Sequence, residues 1–281
     1  MKTLDLNITS NCNYACEFCF GESDMGGDMG KEVFLKSLDL AKKLDVSHIE
    51  FCGGEPLLHQ KFEEFVSIAR RQGFSLILRT NGIYLNNHID FIADHFEWVA
   101  ISLDGAEEGN DLMRVSRNTI SVKDKFNLPI DALFKLNELN PKIKLLVATV
   151  VSSINFSDVI KLGEYIYNNN LPIERWKINL FRAKERRALE FKNKYFLSES
   201  KFDELSKMPV FENIKKFKGI DIVFNKGSIS NGECLIVTKN GEITLGPNKI
   251  SNIISMDINS ITSVIGASLN NITSNKGRTY N

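Results

Sequence analysis

Apolar residues recur along the chain with two different periods in turn, and the alternation between them predicts its elements. Leu4, Leu6 and Ile8 alternate with polar neighbours as a first strand. After a loop, Val33, Leu35, Leu38, Leu40 and Ala41 mark the apolar side of a helix over 31–44. The same strand-helix unit then returns. Ile49 to Cys52 precedes a helix from Lys61, and Ser75 to Arg79 precedes one from Asn86. Trp98 to Leu103 precedes a helix over Leu128 to Leu139, where Pro129 suits the first turn. Ile143 to Val151 with Phe156 to Asn168, and Trp176 to Leu180 with Glu199 to Phe217, complete the series. Such alternation predicts an α/β fold around a parallel sheet. Six units are too few for a closed eight-unit barrel and suit a partial (β/α)6 TIM barrel, with its chemistry at the carboxyl ends of the strands.

Near Gly219 the pattern changes to short strands at Ile220 to Phe224, Leu235 to Thr238 and Glu242 to Leu245. The last two are joined by Lys239-Asn240-Gly241, a hairpin signal. We expect a barrel core over 1–217 and a β-containing extension over 218–281 that covers it. Ser260 to Asn281 is rich in Ser, Thr and Asn without clear period, which predicts a loosely held end.

Composition narrows the function. The chain has 281 residues, 43% of them hydrophobic, and 35 Lys and Arg balance 35 Asp and Glu. That balance offers no global basic field for a nucleic acid. No apolar run is long enough for a bilayer, and the charged start, Met1 to Asp5, is unlike a signal peptide. A cytoplasmic protein without membrane or nucleic-acid partners is the expectation. The five cysteines, three of them within eight residues, make a poor disulfide framework and good metal ligands.

Cys12, Cys16 and Cys19 directly follow the first strand. Three soft thiolates this close select zinc or an iron–sulfur cluster. Zinc would want a fourth ligand, and the nearest candidates, His48 and Cys52, lack finger-like spacing. A cubane held by three cysteines would leave one iron open to a substrate or cosubstrate.

The spacing C-x3-C-x2-C, with Phe18 before the last cysteine, resembles the radical S-adenosylmethionine (AdoMet) superfamily. Gly53-Gly54-Glu55-Pro56, after the second strand, is similar to that family's GGEP segment. The resemblance implies that Cys12, Cys16 and Cys19 each ligate one iron of a [4Fe-4S] cluster while AdoMet chelates the fourth. It implies Phe18 near the adenine, and Gly53, Gly54 and Glu55, with Pro56 closing the segment, at the methionine amino group. The glycines would let that ligand approach the backbone. Thr80, Asn81 and Ser102 fall where the family holds ribose and carboxylate. Reductive cleavage of AdoMet to a 5′-deoxyadenosyl radical, which abstracts hydrogen from a substrate, is the implied chemistry. An electron donor such as flavodoxin or ferredoxin is the implied partner.

Three reaction classes follow from the same resemblance. The first, and the one we expect, is modification of a ribosomal peptide. Only Cys234 lies beyond Cys52, which leaves no set of cysteines for a further cluster. Some peptide-epimerising members use a lone cysteine from this region as hydrogen-atom donor, which makes Cys234 a candidate beside its plainer reading as a packed thiol. The second is a viperin-like nucleotide dehydratase, to which Cys12 to Phe20 and Arg175-Trp176-Lys177 are similar. Leu6 and Ile8 stand where that family carries asparagine and histidine facing substrate, which counts against a nucleotide. The third is a non-catalytic iron–sulfur redox sensor, against which the intact GGEP segment argues. A small-molecule substrate outside these classes stays open.

Lys177 and Arg182, with Lys184, Arg186, Arg187, Arg114 and Arg117, are candidates to hold an anionic group or are solvated surface. Cys52 and the four histidines read as ordinary residues. Gly21 to Gly30 reads as mobile, so Glu22 and Asp24 receive no acid-base role.

Overall fold

The computed structural model describes residues 3–19, 21, 26–183, 186–227, 234–246 and 248–270. In chain order the strands are β1 (Thr3–Thr9), β2 (His48–Gly53), β3 (Ser75–Thr80), β4 (Trp98–Ser102), β5 (Lys144–Val151), β6 (Arg175–Leu180), β7 (Asp221–Asn225), β8 (Leu235–Val237), β9 (Glu242–Leu245) and β10 (Asn248–Asn252). The helices are α1 (Lys31–Lys43), α2 (Phe62–Arg71), α3 (Ile89–His95), α4 (Glu107–Met113), α5 (Val122–Leu139), α6 (Phe156–Asn168), α7 (Arg186–Glu190), α8 (Lys192–Tyr195), α9 (Glu199–Ser206), α10 (Pro209–Lys218) and α11 (Ile258–Asn270).

Packing divides the chain into two compact units. The first comprises Met1–Asn11, Asp24–Arg79 and Ile229–Asn281, the second Cys12–Ser23 and Thr80–Ser228. This division differs from the border suggested at 217/218, because the two strands that follow that border pair with earlier strands of different units. Asp221–Asn225 lies parallel to β6, and Leu235–Val237 returns to lie parallel to β1.

In the first unit the order is β10-β9-β8-β1-β2-β3. β8, β1, β2 and β3 run parallel, β8 and β9 form the antiparallel hairpin that the Asn-Gly turn predicted, and β10 adds antiparallel to β9. Leu6 pairs with Phe51, whose ring lies 6.3 Å from Phe34 of α1 and 6.1 Å from Phe62 of α2. Leu4, Leu6 and Ile8 are fully buried on this helix-covered face. Side chains of a strand alternate, so Asp5 and Asn7 share the opposite face with Glu50 and Cys52 of β2. The buried stripe of α1 centres on Phe34, Leu38 and Ala41, with Val33 and Leu35 only half-buried at its margins. Phe34 takes the centre because its ring stacks on Phe65 at 4.0 Å. The end of the chain is ordered further than its composition suggested. Ile261 and Ile265, four residues apart, are fully buried, and α11 packs on α1. The rest of the expected loose end, 271–281, lies outside the described residues.

In the second unit β4-β5-β6-β7 are all parallel. β7 thus continues the run instead of opening an extension, and its Phe224 packs edge-on against Phe202 of α9 and Phe211 of α10. The single helix expected over 199–217 is two, because Pro209 lacks the N–H that would continue α9 and instead starts α10. α5 begins at Val122, not Leu128, since Ser121 caps it by accepting the Asp124 N–H. Pro129 is therefore internal and leaves the Lys125 carbonyl without its helical donor. The fully buried Asn110 supplies one, Nδ2 donating to Lys125 O at 3.0 Å, while its Oδ1 accepts the Asp104 N–H at 3.0 Å. Among the described residues no helix is long and apolar enough to cross a membrane.

Asn110→Ala removes both bonds and is expected to lower stability by about 3 kcal/mol, read as a shift in urea unfolding midpoint at constant slope. Pro129→Ala restores an N–H for Lys125 O, so the Asn110→Ala, Pro129→Ala double variant is expected to lose less than the sum of the singles.

Candidate active site

The cysteine loop of the second unit has no ladder of its own, so its peptide groups take partners from elsewhere. Tyr14 bridges Ser116, and the Ala15 N–H donates to Val115 O at 2.7 Å. The Arg117 N–H donates to Asn13 O at 2.8 Å and its Nε to Tyr14 O at 2.9 Å. Arg187 Nη2 donates to Ala15 O at 2.8 Å. Arg117 and Arg187 are thus scaffold for the loop. Glu17 accepts the Tyr195 hydroxyl at 2.9 Å and pairs with Lys194, which fastens α8 to the same loop.

Cys16 is buried in a cluster with Tyr14, Phe18, Met113, Phe181 and Tyr195, whereas Cys12 is half-buried and Cys19 exposed. Backbone N–H groups of Tyr14 and Gly21 donate to Cys12 Sγ at 3.4 Å and Cys19 Sγ at 3.2 Å. Burial pushes the Cys16 thiol up to about 12, and Arg114 is the foremost charge pulling it back. Arg114 Nη2 lies 2.8 Å from Asp104 Oδ2, and its guanidinium carbon 5.9 Å from the centre of the Phe18 ring. Burial raises the Asp104 carboxyl against the pull of Arg114.

The donor set and two orphan atoms test whether a cluster fits. Asn13 Nδ2 and Arg114 Nε are buried donors with no hydrogen-bond partner among the described residues. An anionic group rich in acceptors, held by three thiolates of this loop, meets that need. Three free thiols on one loop and two buried donors in need of acceptors fit such a cluster.

In the first unit the Gly54 N–H donates to Thr9 O and the Glu55 N–H to Asn11 O, both at 2.7 Å. A Cβ at Gly53 would stand 2.3 Å from Thr9 O, and one at Gly54 2.3 Å from Asn11 O. The two glycines are thus required by the chain that crosses beside them, a stronger reason than the approach of a ligand. With these N–H groups engaged, carbonyls and the Glu55 carboxylate are what the segment can offer an ammonium. Glu55 is fully buried, and its Oε1 accepts the Leu57 N–H at 3.3 Å at the start of the short turn Pro56–Leu58. Asp28 secures the crossing, its Oδ1 accepting from Thr9 Oγ1 at 2.7 Å and Asn11 Nδ2 at 3.0 Å. The Met29 N–H donates to Ile8 O at 2.6 Å, so residues 26–30 of the stretch expected to be mobile are bound to β1. Glu22 and Asp24 lie outside the described residues, as does Phe20.

The face of the first unit's sheet opposite α1 and α2 carries the remaining chemistry. Cys234 Sγ donates to Asp5 Oδ2 at 2.9 Å, Cys52 Sγ to Asn7 Oδ1 at 3.0 Å, and Glu50 pairs with Arg79. This corrects the expectation about Leu6 and Ile8, which pack on helices. A shift of one residue along a strand exchanges its faces, and the residues opposite the helices are Asp5 and Asn7, both able to hydrogen bond.

Of the other candidates, Thr80 Oγ1 accepts the Gly82 N–H at 3.0 Å, and Asn81 Nδ2 donates to Asn13 Oδ1 at 2.8 Å, tying the end of β3 to the cysteine loop. Ser102 ends β4 and Lys177 sits on β6, both half-buried. Arg182 is engaged on two sides, Nε donating to Lys226 O at 2.7 Å and Nη2 pairing with Glu199. Lys184 and the Arg186 side chain lie outside the described residues.

The sequence pattern of the Radical SAM superfamily matches residues 6–166, more than half of the chain. The chain belongs to this superfamily. It is similar to an S-adenosylmethionine-dependent nucleotide dehydratase of Selenomonas ruminantium, 29% identical over 179 residues that make up 62% of this chain and 64% of that protein. It is also similar to the tungsten-containing aldehyde ferredoxin oxidoreductase cofactor-modifying protein of Pyrococcus furiosus, 30% identical over 200 residues, 64% of this chain and 54% of that one. The chain thus spans less than two thirds of the length of these relatives. Among solved structures, native anSMEcpe with bound AdoMet matches at a TM-score of 0.75 and 18% identity, over 98% of this chain and 84% of that chain. Streptococcus suis SuiB bound to precursor peptide SuiA matches at 0.73 and 15%, over 92% and 64%. The radical SAM fold, a partial TIM barrel, is the α/β architecture expected from the strand-helix periodicity.

Three residues of this radical SAM chain escaped notice in the sequence: Asn13, Asp28 and Asp104. Asp104 alone carried a signal, a charged residue between an apolar strand and Gly105. Gly54→Ala is expected to lower stability by about 1 to 3 kcal/mol through the collision with Asn11 O. Gly266→Ala, in α11 with no atom near the added methyl, is expected to leave stability unchanged or raise it. Thermal unfolding of the two variants checks both.

Proposed function

We propose that this chain is a single-cluster radical SAM enzyme acting on a nucleotide. The observation that carries the first part is the cysteine loop, with three thiols beside two buried donors that find no acceptor among the described residues. In this reading Cys12, Cys16 and Cys19 hold the [4Fe-4S] cluster. Gly53, Gly54, Glu55 and Pro56 receive the methionine amine of AdoMet, with Phe18 at its adenine and Thr80, Asn81 and Ser102 at its ribose and carboxylate. Bound together, cluster and AdoMet supply a 5′-deoxyadenosyl radical after one-electron reduction by a cytoplasmic donor such as flavodoxin or ferredoxin. The chain's own part is to orient the cosubstrate and to hold the substrate on the polar face of its strands.

Two observations favour a nucleotide. The likeness to S-adenosylmethionine-dependent nucleotide dehydratases reaches 29% identity. The objection from Leu6 and Ile8 also falls, since Asp5 and Asn7 occupy the face of β1 opposite α1 and α2. Lys177, half-buried on β6, is the cation this reading places at a phosphate. A second reading, modification of a ribosomal peptide, is favoured by Cys234, a free thiol whose Sγ–H donates to Asp5 and carries the hydrogen that such a transfer needs.

Anaerobic reconstitution with iron and sulfide, followed by reduction with AdoMet present, is expected to yield 5′-deoxyadenosine, and the Cys12→Ala, Cys16→Ala, Cys19→Ala variant is expected to yield none. Bound zinc with no response to AdoMet would sink the assignment. Dehydrated products from nucleoside triphosphates would establish the nucleotide reading, and modified peptides by mass spectrometry the other. In the peptide case Cys234→Ala is expected to cleave AdoMet without completing product, and full product would return Cys234 to a packing role.

A further inference from the structure

Asp104 and Arg114 form a buried ion pair, of which the cluster reading above uses only the unpartnered Arg114 Nε. Asp104 is fully buried and mounted rigidly. Its carboxylate accepts the Val150 N–H at 2.7 Å as well as Arg114, its own N–H donates to Asn110, and its carbonyl accepts from Asn155 Nδ2. Arg114 has a side chain only 12% exposed and lies 5.9 Å from the ring centre of Phe18, the residue before Cys19. Against apolar residues of the same volume a buried ion pair adds little stability, so this one calls for another reason. Arg114 stands beside the cysteine loop: Met113, its neighbour in the chain, shares a buried cluster with Cys16 and Phe18, and the Arg114 Nε–H is buried without a hydrogen-bond partner among the described residues.

We infer that Arg114 and Asp104 set the reduction potential of the cluster held by Cys12, Cys16 and Cys19, an inference that rests on the cluster reading above. Reduction adds one electron to a site of low dielectric. A fixed positive charge nearby favours the reduced state and a fixed negative charge disfavours it. The guanidinium therefore raises the potential, and the carboxylate trims that effect while keeping the guanidinium in place.

The test is a redox titration of the reconstituted holoprotein without AdoMet, followed by the electron paramagnetic resonance of the reduced cluster, with iron and sulfide counted in each sample. Leaving AdoMet out removes any contribution of Arg114 to binding it. Arg114→Gln is expected to shift the potential to more negative values, Asp104→Asn to less negative values, and Arg114→Lys to leave it near the wild type. Opposite shifts from the two halves of one ion pair are not what loosened packing produces. Shifts of the same sign, or none with four irons bound, would overturn the inference while leaving the cluster reading intact. If Arg114→Gln does not fold, the shift in Asp104→Asn decides alone. A wild type that binds no iron and sulfide overturns the cluster reading, and this inference with it.

Discussion

Peptide groups of a loop that joins no sheet and no helix must be satisfied by other parts of the chain, and in this protein that requirement governs the cysteine loop. The carbonyls of Asn13, Tyr14 and Ala15 are met by Arg117 and Arg187, and the Ala15 N–H by Val115. Arginine suits the task because its planar guanidinium presents several donors at once. With the backbone held from that side, Tyr14, Cys16 and Phe18 turn into the aromatic cluster around Tyr195. A loop spaced for three thiols thereby acquires one deeply buried sulfur and one exposed sulfur, and the cost of charging the buried one falls on its surroundings.

Burial and charge work against each other there. A thiolate in an apolar pocket is disfavoured unless a cation stands nearby, and a lone buried cation is disfavoured in turn. Arg114 answers the first demand and Asp104 the second. Asp104 is held by Val150, Asn110 and Asn155 together, so the charge cannot relax away. The first unit solves a different problem with the same economy. The carbonyls at the end of β1 lodge against the missing side chains of Gly53 and Gly54, and Asp28 ties the crossing strand down.

Much of this was legible in local pattern. Strand and helix periods located nearly every parallel strand, and the cysteine spacing with GGEP marked the chemistry, because both depend on residues near one another in sequence. Errors arose where a residue's meaning depended on a distant partner. Pro129 looked like a helix start until Asn110 was found to serve the carbonyl it orphans. Leu6 and Ile8 were matched by position to the substrate-facing residues of the resembling family, whereas Phe51 and the helices beyond it claim Leu6 and leave Asp5 and Asn7 on the other face. The arginines after β4 and β6 looked like anion holders, and only their contacts divide them into loop anchors and an ion pair.

The sequence by itself determined the fold class, the superfamily and the three thiols, since period and spacing are properties of neighbouring residues. Tertiary structure alone decided which charges accompany those thiols and which face of β1 is polar. It also decided why Gly53 and Gly54 must be glycines. Each of those depends on atoms brought within a few ångströms from far along the chain, where burial sets the strength of a charge and close packing sets which side chain a position can carry.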